Sequence, residues 1–432
     1  MPASHDAYAA LRFRSFRWFI IALVAVTVAT QLRGVVVAWQ IYDATRDPLS
    51  LGLIGLAEAV PFIGTALYAG HVADRRNRRL VALAALLLVL GCAVALLALT
   101  LRRPPETAGD VAPFYAVIFV SGIARSFLMP ARTALAAELV PRHVYANATA
   151  WRTSSWQLAA VAGPAIGGLL YAAFGPALVY ALDVVLMVVA VLALAVVRAP
   201  ERTLPRAVAG IRESLTSGLR FVLREPVILG AMTLDLVSVL FGGAVALLPV
   251  FASEILHAGP EGLGILRAAP AAGAVLTALW LAHRPPFERA GRAMLVNVAL
   301  FGACMIGFAL SRNFALSVAL LVASGAVDTV SVVIRGTLLQ VLTPDELLGR
   351  VAAVNAIFIG SSNEIGAFES GVAARLLGTV PSVVVGGMMT LLAVGVTAWK
   401  VPSLRELGAI RGRIAPVVQS AMPPSGASAG PE

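Results

Sequence analysis

Charged side chains are scarce in this sequence: Asp, Glu, Lys and Arg make up 13% of its 432 residues, where a soluble chain carries roughly a quarter. Lysine is almost missing. Lys400 stands alone and every other basic residue is arginine, which is a compositional bias. Two cysteines, Cys92 and Cys304, both lie in apolar runs; neither a disulfide framework nor a metal cluster can be built from them. The five histidines (His5, His71, His143, His257 and His283) have no metal-ligand spacing, so no metal is expected. No Gly-rich loop leads into a lysine, which excludes ATP as the direct energy source. No clustered His/Asp or Ser/His arrangement lies near an interface, so no cofactor and no enzyme activity are expected, and a membrane-embedded transferase is a remote alternative.

What is present is apolar: 59% of residues are hydrophobic. The runs read as twelve spans, at 18–41, 50–72, 79–101, 112–132, 148–173, 177–198, 226–252, 261–283, 292–311, 314–335, 350–378 and 380–400. Each approaches or exceeds the ~20 residues that cross a bilayer. Lipid offers the backbone no partners, so each span must be a helix, and Pro61, Pro164, Pro249 and Pro270 are tolerated inside them. The first run lacks a small-residue cleavage site and reads as a span rather than a removable signal peptide. The expected organisation is a first six-helix half over 1–198, a cytoplasmic linker over 199–225 with some helical character, a second half over 226–402, and a Pro/Ser/Gly-rich tail over 403–432 expected to be disordered.

The net charge of +10 would suggest nucleic acid in a soluble chain. Here no aromatic-basic groove accompanies it, and nucleic acid is not an expected partner. With the N-terminus placed in the cytoplasm, twenty-five basic residues fall on inside segments and four (Arg46, Arg102, Arg103 and Arg312) outside. That asymmetry predicts both termini inside.

An internal repeat underlies the count. At a constant offset of 203 positions, Ser121, Gly122, Arg132, Pro141, Gly163, Gly168 and Gly175 coincide with Ser324, Gly325, Arg335, Pro344, Gly366, Gly371 and Gly378. Earlier, Glu58, Pro61 and Gly64 coincide with Arg267, Pro270 and Gly273 at 209. The halves read as parallel duplicates of six spans each.

Gly70-His-Val-Ala-Asp74-Arg75-Arg76-Asn-Arg78-Arg79, between spans two and three, resembles the cytoplasmic-loop signature of the major facilitator superfamily. Ala159-x-x-x-Gly163-Pro164-x-x-Gly167-Gly168 in span five resembles its antiporter motif, with Ala159 where a glycine is usual. The stretches PARTALAAELVPRHVYANA, GPAIGGLLYAAFG and LLQVLTPDELLGRVAAVN are similar to the subfamily of enterobactin exporters and macrolide efflux proteins. This resemblance implies an all-α membrane fold of twelve helices in two parallel repeats, and export as the general activity. The second-half counterpart of the loop signature, HRPPFERAGR, lacks the aspartate, so an asymmetric cytoplasmic latch is expected.

Charges at bilayer depth are costly and therefore functional candidates. Spans three, nine and twelve carry none in their interiors, and span six only Asp183. The others hold Arg33, Glu58, Arg125, Asp235, Arg267, Asp328, Glu364 and Glu369. The resemblance places spans three, six, nine and twelve at the periphery, so the charges gather at the seam between the halves. Through the repeat, Glu58 corresponds to Arg267, Arg125 to Asp328 and, roughly, Arg33 to Asp235, with opposite signs each time. The expectation is attraction across a central cavity, through pairs that break as the halves rock or that stay as static buried pairs. Asp235, Asp328, Glu58 and Glu364 suit proton coupling, with Asp235 and Glu364 favoured, and Glu369, nearer the outer face, suits a gate or a structural partner.

Gly70, Asp74, Arg75 and Arg78 form the expected cytoplasmic gate, the alternative being a basic loop that serves topology and lipid. Gly163, Pro164, Gly167 and Gly168 are a helix hinge or plain close packing. Trp39, Trp151 and Trp156 read as interfacial belts. The function expected is a proton-coupled exporter of a small amphipathic molecule, drug-like or siderophore-like, in the cytoplasmic membrane and monomeric. A solute importer is the alternative; the few Asn and Gln side chains in the spans count against sugars.

Overall fold

The computed structural model describes residues 6, 8–102, 104–198, 211–284 and 287–408. Among these residues, twelve helices are long and apolar enough to cross a membrane. They are α1 (Arg14–Thr45), α2 (Pro48–Arg75), α3 (Arg78–Arg102), α4 (Ala112–Glu138), α5 (Tyr145–Phe174) and α6 (Pro176–Val196). The second set is α7 (Pro226–Ile255), α8 (Gly259–Ala282), α9 (Ala290–Leu310), α10 (Phe314–Leu342), α11 (Asp345–Leu377) and α12 (Thr379–Lys400). A linker helix, Ile211–Arg224, precedes α7.

Local chemistry starts and stops these helices. Pro48, Pro176 and Pro226 occupy the first turns of α2, α6 and α7, where the missing N–H costs nothing. Asp47 caps α2 by accepting from the Leu49 N–H, and Asn313 caps α10 by accepting from Leu316. Gly175 and Gly378, repeat counterparts, join α5 to α6 and α11 to α12 at φ +75° and +91°, a backbone that a side chain would strain. α7 is not one regular helix. After Gly242-Gly243 it continues as a 3₁₀ turn (Ala244–Leu247), a short α segment (Leu248–Val250) carrying Pro249, and a π turn (Phe251–Ile255). Ser370 Oγ donates to the Gly243 carbonyl at 3.3 Å, one of the neighbour contacts that such a break needs in lipid.

Each half packs in the same way. α1 lies against α5 and α6, α2 against α4, and α3 against α4 and α6; α7 lies against α11 and α12, α8 against α10, and α9 against α10 and α12. Two seams join the halves, α5 with α8 and α2 with α11, and they are repeat counterparts of one another. The fold is therefore the all-α, two-repeat major facilitator architecture. In the segment expected to be a tail, Pro402–Arg405 forms a helical turn whose Leu404 is fully buried beside α9. The rest of that segment, from 409, and linker residues 199–210 lie outside the described residues.

Candidate functional site

The two seams close one end of the molecule. A Cβ on Gly168 (α5) would stand 2.8 Å from the Gly264 Cα (α8), and one on Gly52 (α2) 3.0 Å from the Gly371 Cα (α11). Backbones meet at both places because no side chain intervenes. All four glycines lie within about two turns of helix ends on the face opposite the termini. Polar ties between the halves cluster there too. Asp47 pairs with Arg375 at 3.2 Å, the Tyr42 hydroxyl donates to Glu254, and Arg46 Nη1 donates to Ser253 Oγ at 3.2 Å. Toward the terminal face, positions 70, 336 and 349 are glycines with nothing within 4 Å of an added Cβ.

Between the closed end and the terminal face lies a cavity of about 760 Å³. Apolar residues such as Leu23, Val26, Val89, Leu96 and Leu128 line much of it, with Gln31, Ser121 and Asn363 as polar additions. Its charged centre is built by four helices. Arg125 (α4) donates through Nη1 to Glu58 (α2) and, at 2.9 Å, to Glu364 (α11). One guanidinium thus holds a carboxylate from each half. Arg267 (α8) reaches back across the seam, its Nη1 donating to the Gly34 carbonyl of α1 at 2.8 Å, and both carboxylates act on it electrostatically.

Two further membrane charges, Arg33 and Asp235, pair within their own halves. Arg33 (α1) makes a two-pronged contact with Asp183 (α6), Nε to Oδ2 at 2.8 Å and Nη2 to Oδ1 at 3.0 Å, with Asp183 wholly buried. Asp235 (α7) pairs with Arg335 (α10), both buried. Taking one such partner away would strand the other charge. The expectation of repeat-matched attraction across the cavity is corrected on these points. Glu58 meets Arg125 instead of facing Arg267 as its partner, Arg125 takes Glu364 instead of Asp328, and Arg33 and Asp235 each find a partner in their own half. The reason is rotational: opposite signs at equivalent positions face one another only if both side chains point to the pseudo-twofold axis. Asp328 and Glu369 are partly buried and neither has an ion-pair partner among the described residues.

The profile of the transmembrane secretion effector family matches residues 5–415. The chain belongs to this family of major facilitator transporters. Curated relatives agree over nearly the whole length. The enterobactin exporter EntS of Shigella boydii serotype 18 (strain CDC 3083-94 / BS512) is 30% identical over 387 residues, covering 88% of this chain and 90% of the relative. Its namesake from Shigella flexneri is 28% identical over 389 residues, covering 88% and 90%. Among solved structures, a D-xylose-proton symporter matches with a TM-score of 0.68 at 14% identity, covering 93% of this chain and 99% of that one. The inward-open xylose transporter XylE from E. coli matches at 0.64 and 14%, covering 91% and 96%; at these identities the likeness concerns the fold.

The structure distributes the residues of the loop and helix-five motifs of this secretion effector family member unevenly. Gly163 and Gly167 face α1, where an added Cβ would approach Gln31 and Leu32, while Gly168 and the Pro164 carbonyl face Gly264 of α8. α5 stays one helix through Pro164, and its three glycines pack closely against α1 and α8. Arg75 is exposed, and Arg78 pairs with Glu138 of its own half at 2.7 Å; the side chain of Asp74 lies outside the described residues. Trp156, expected in an interfacial belt, lines the cavity instead. Sequence reasoning did not find the closing-face residues Tyr42, Asp47, Glu254 and Arg375, which sit at helix ends where charge is ordinary. Their signal was a carboxylate or arginine on each side of the seam, at termini that the repeat brings together.

Proposed function

We propose that this chain is a secondary transporter that exports a small amphipathic molecule, drug-like or siderophore-like, across the cytoplasmic membrane in exchange for protons. The observation that carries this reading is Arg125 holding Glu58 and Glu364, one carboxylate from each half, at the centre of a cavity that the two glycine seams close on the face opposite the termini. Export is supported by the relatives, which are named enterobactin exporters. The arginine asymmetry favours cytoplasmic termini, so the closed end faces outward and the state is the one that loads cargo. Asp235, the other carboxylate that the sequence favours for the proton, is a less suitable carrier because Arg335 holds it in a buried pair.

In this state Arg125 holds Glu364 as a carboxylate and ties the halves together at mid-depth. When the outer seams part, α11 moves away from α4, Glu364 loses its cation, and a proton replaces it. Return to the cytoplasm-facing state restores Arg125 and releases that proton inward. Amphipathic cargo uses the apolar walls for affinity. The route lies within one chain, so a monomer suffices, with lipid as solvent, no cofactor and no covalent step. The reading is tested in everted vesicles acidified inside, which should accumulate an amphipathic dye or siderophore and lose it when an uncoupler is added. Accumulation that survives the uncoupler would sink proton coupling.

A further inference from the structure

We propose that Arg132 and Arg152, with Trp156 beside them, bind the anionic group of an aromatic organic anion at the cytoplasmic end of the cavity, which makes the cargo an aryl carboxylate or a chemically similar anion. The proposal rests on reading the cavity as the cargo route.

Five arginines line the cavity, Arg33, Arg125, Arg132, Arg152 and Arg267, against two carboxylates, Glu58 and Glu364. Arg33 is neutralised by Asp183 behind the wall, and Arg125 occupies both lining carboxylates. Arg267 has the Gly34 carbonyl and the field of those same carboxylates. That leaves Arg132 and Arg152. Arg132 makes a weak contact to Met129 Sδ on its own helix, at 3.6 Å. Arg125 and Arg152 act on Arg132 only as like charges. Neither arginine has a carboxylate partner among the described residues.

The repeat shows what is unusual about Arg132. Its counterpart, Arg335, is buried and neutralised by Asp235. In the first half the position corresponding to Asp235 is held, roughly, by Arg33, itself a cation. The first half therefore keeps the arginine and lacks the acid, and turns that arginine into the cavity. An arginine needed only for membrane orientation would serve equally well in a loop; Arg132 and Arg152 are partly buried, within α4 and α5. Uncompensated charge beside apolar walls is costly, and an incoming anion would relieve it. The guanidinium fork suits a carboxylate. Arg152 and Trp156 are four residues apart on α5 and so share a face, with Trp156 45% exposed, placing an aromatic surface next to the anion site.

A lipid phosphate could offer the same charge, so the test separates the two sources. Full-length protein in phosphatidylcholine nanodiscs, without any gradient, is titrated by equilibrium dialysis with 2-naphthoate, 2-naphthylmethanol and 2-naphthylmethylammonium. We expect naphthoate to bind at least about tenfold tighter than the ammonium. R132Q and R152Q should each lose about tenfold for naphthoate while keeping the affinity for the alcohol, and R132K should retain most of the naphthoate binding. Equal affinity for acid and ammonium, or loss of acid and alcohol together in the Gln variants, overturns the proposal. So does displacement of naphthoate by equimolar short-chain phosphatidylglycerol, which would make the occupant a lipid headgroup. Because nothing turns over in this assay, its failure would leave proton-driven export standing, and failure of the vesicle assay would leave the anion site standing.

Discussion

Replacing Glu364 by glutamine removes one charge from the centre without removing its shape. The amide can still accept from Arg125, whose contact to Glu364 is 2.9 Å, and Arg125 keeps Glu58. What is lost is the ionic part of a tie between halves, and the ability to carry a proton. A hydrogen bond between charged groups is worth about 1.5–3 kcal/mol. The Arg125 side chain is 43% exposed and Glu364 13%, so solvent screening reduces this, and the retained amide contact reduces it further. About 1 kcal/mol remains, a shift of roughly fivefold toward the outward-open state. Spin labels at the outer ends of α2 and α11 should report that shift as a larger share of long distances. In vesicles the variant should exchange cargo down its gradient but fail to concentrate it against one when the lumen is acid. An E364Q protein that concentrates cargo as the native chain does would refute the assignment of the proton to Glu364.

Three other outcomes follow from the same geometry. Reversing the cross-half pair, R125E with E364R, should recover part of the transport that each single change abolishes, whereas R125D with D328R should recover none; vesicle uptake compares the four. Gly168→Ala places a Cβ against the Gly264 backbone, an overpacking worth about 1–3 kcal/mol, and should weaken the outer seal, while Gly70→Ala enters open space and should be neutral in this state. Cross-linking across the α5–α8 seam reads the difference. Asp235→Asn strands the Arg335 charge and should cost about 3–5 kcal/mol, seen as a lower unfolding temperature in detergent, with D183N behaving likewise toward Arg33.

The number and order of the membrane spans were legible, with most ends within a few residues, because hydrophobic length is the dominant signal in lipid, and because Gly175 and Gly378 mark the same turn in both repeats. Where the helices run longer than expected, as α4 does to Glu138 and α10 to Leu342, the apolar stretch ends before the helix does. Arg132 and Arg335, expected as the last residues of their spans, therefore lie well inside helices. The central residues were also legible by type and depth: Glu58, Arg125, Arg267 and Glu364 do converge. Their partners were not, because pairing depends on the rotation of each helix about its axis, and one residue of phase moves a side chain by about 100°. Asp183 was set aside as peripheral, yet α6 turns that carboxylate inward to Arg33. The break in α7 was foreshadowed by Gly242-Gly243 and Pro249, but which neighbour would meet the freed carbonyls needed the fold.

Simultaneous recording of cargo uptake and luminal pH in everted vesicles reaches the central claim most directly. Adding cargo to vesicles with an acid lumen should make the lumen more alkaline as cargo enters, in a fixed ratio, and the pH change should vanish in E364Q. Cargo that enters with no proton leaving, or with protons moving the same way, would contradict the account.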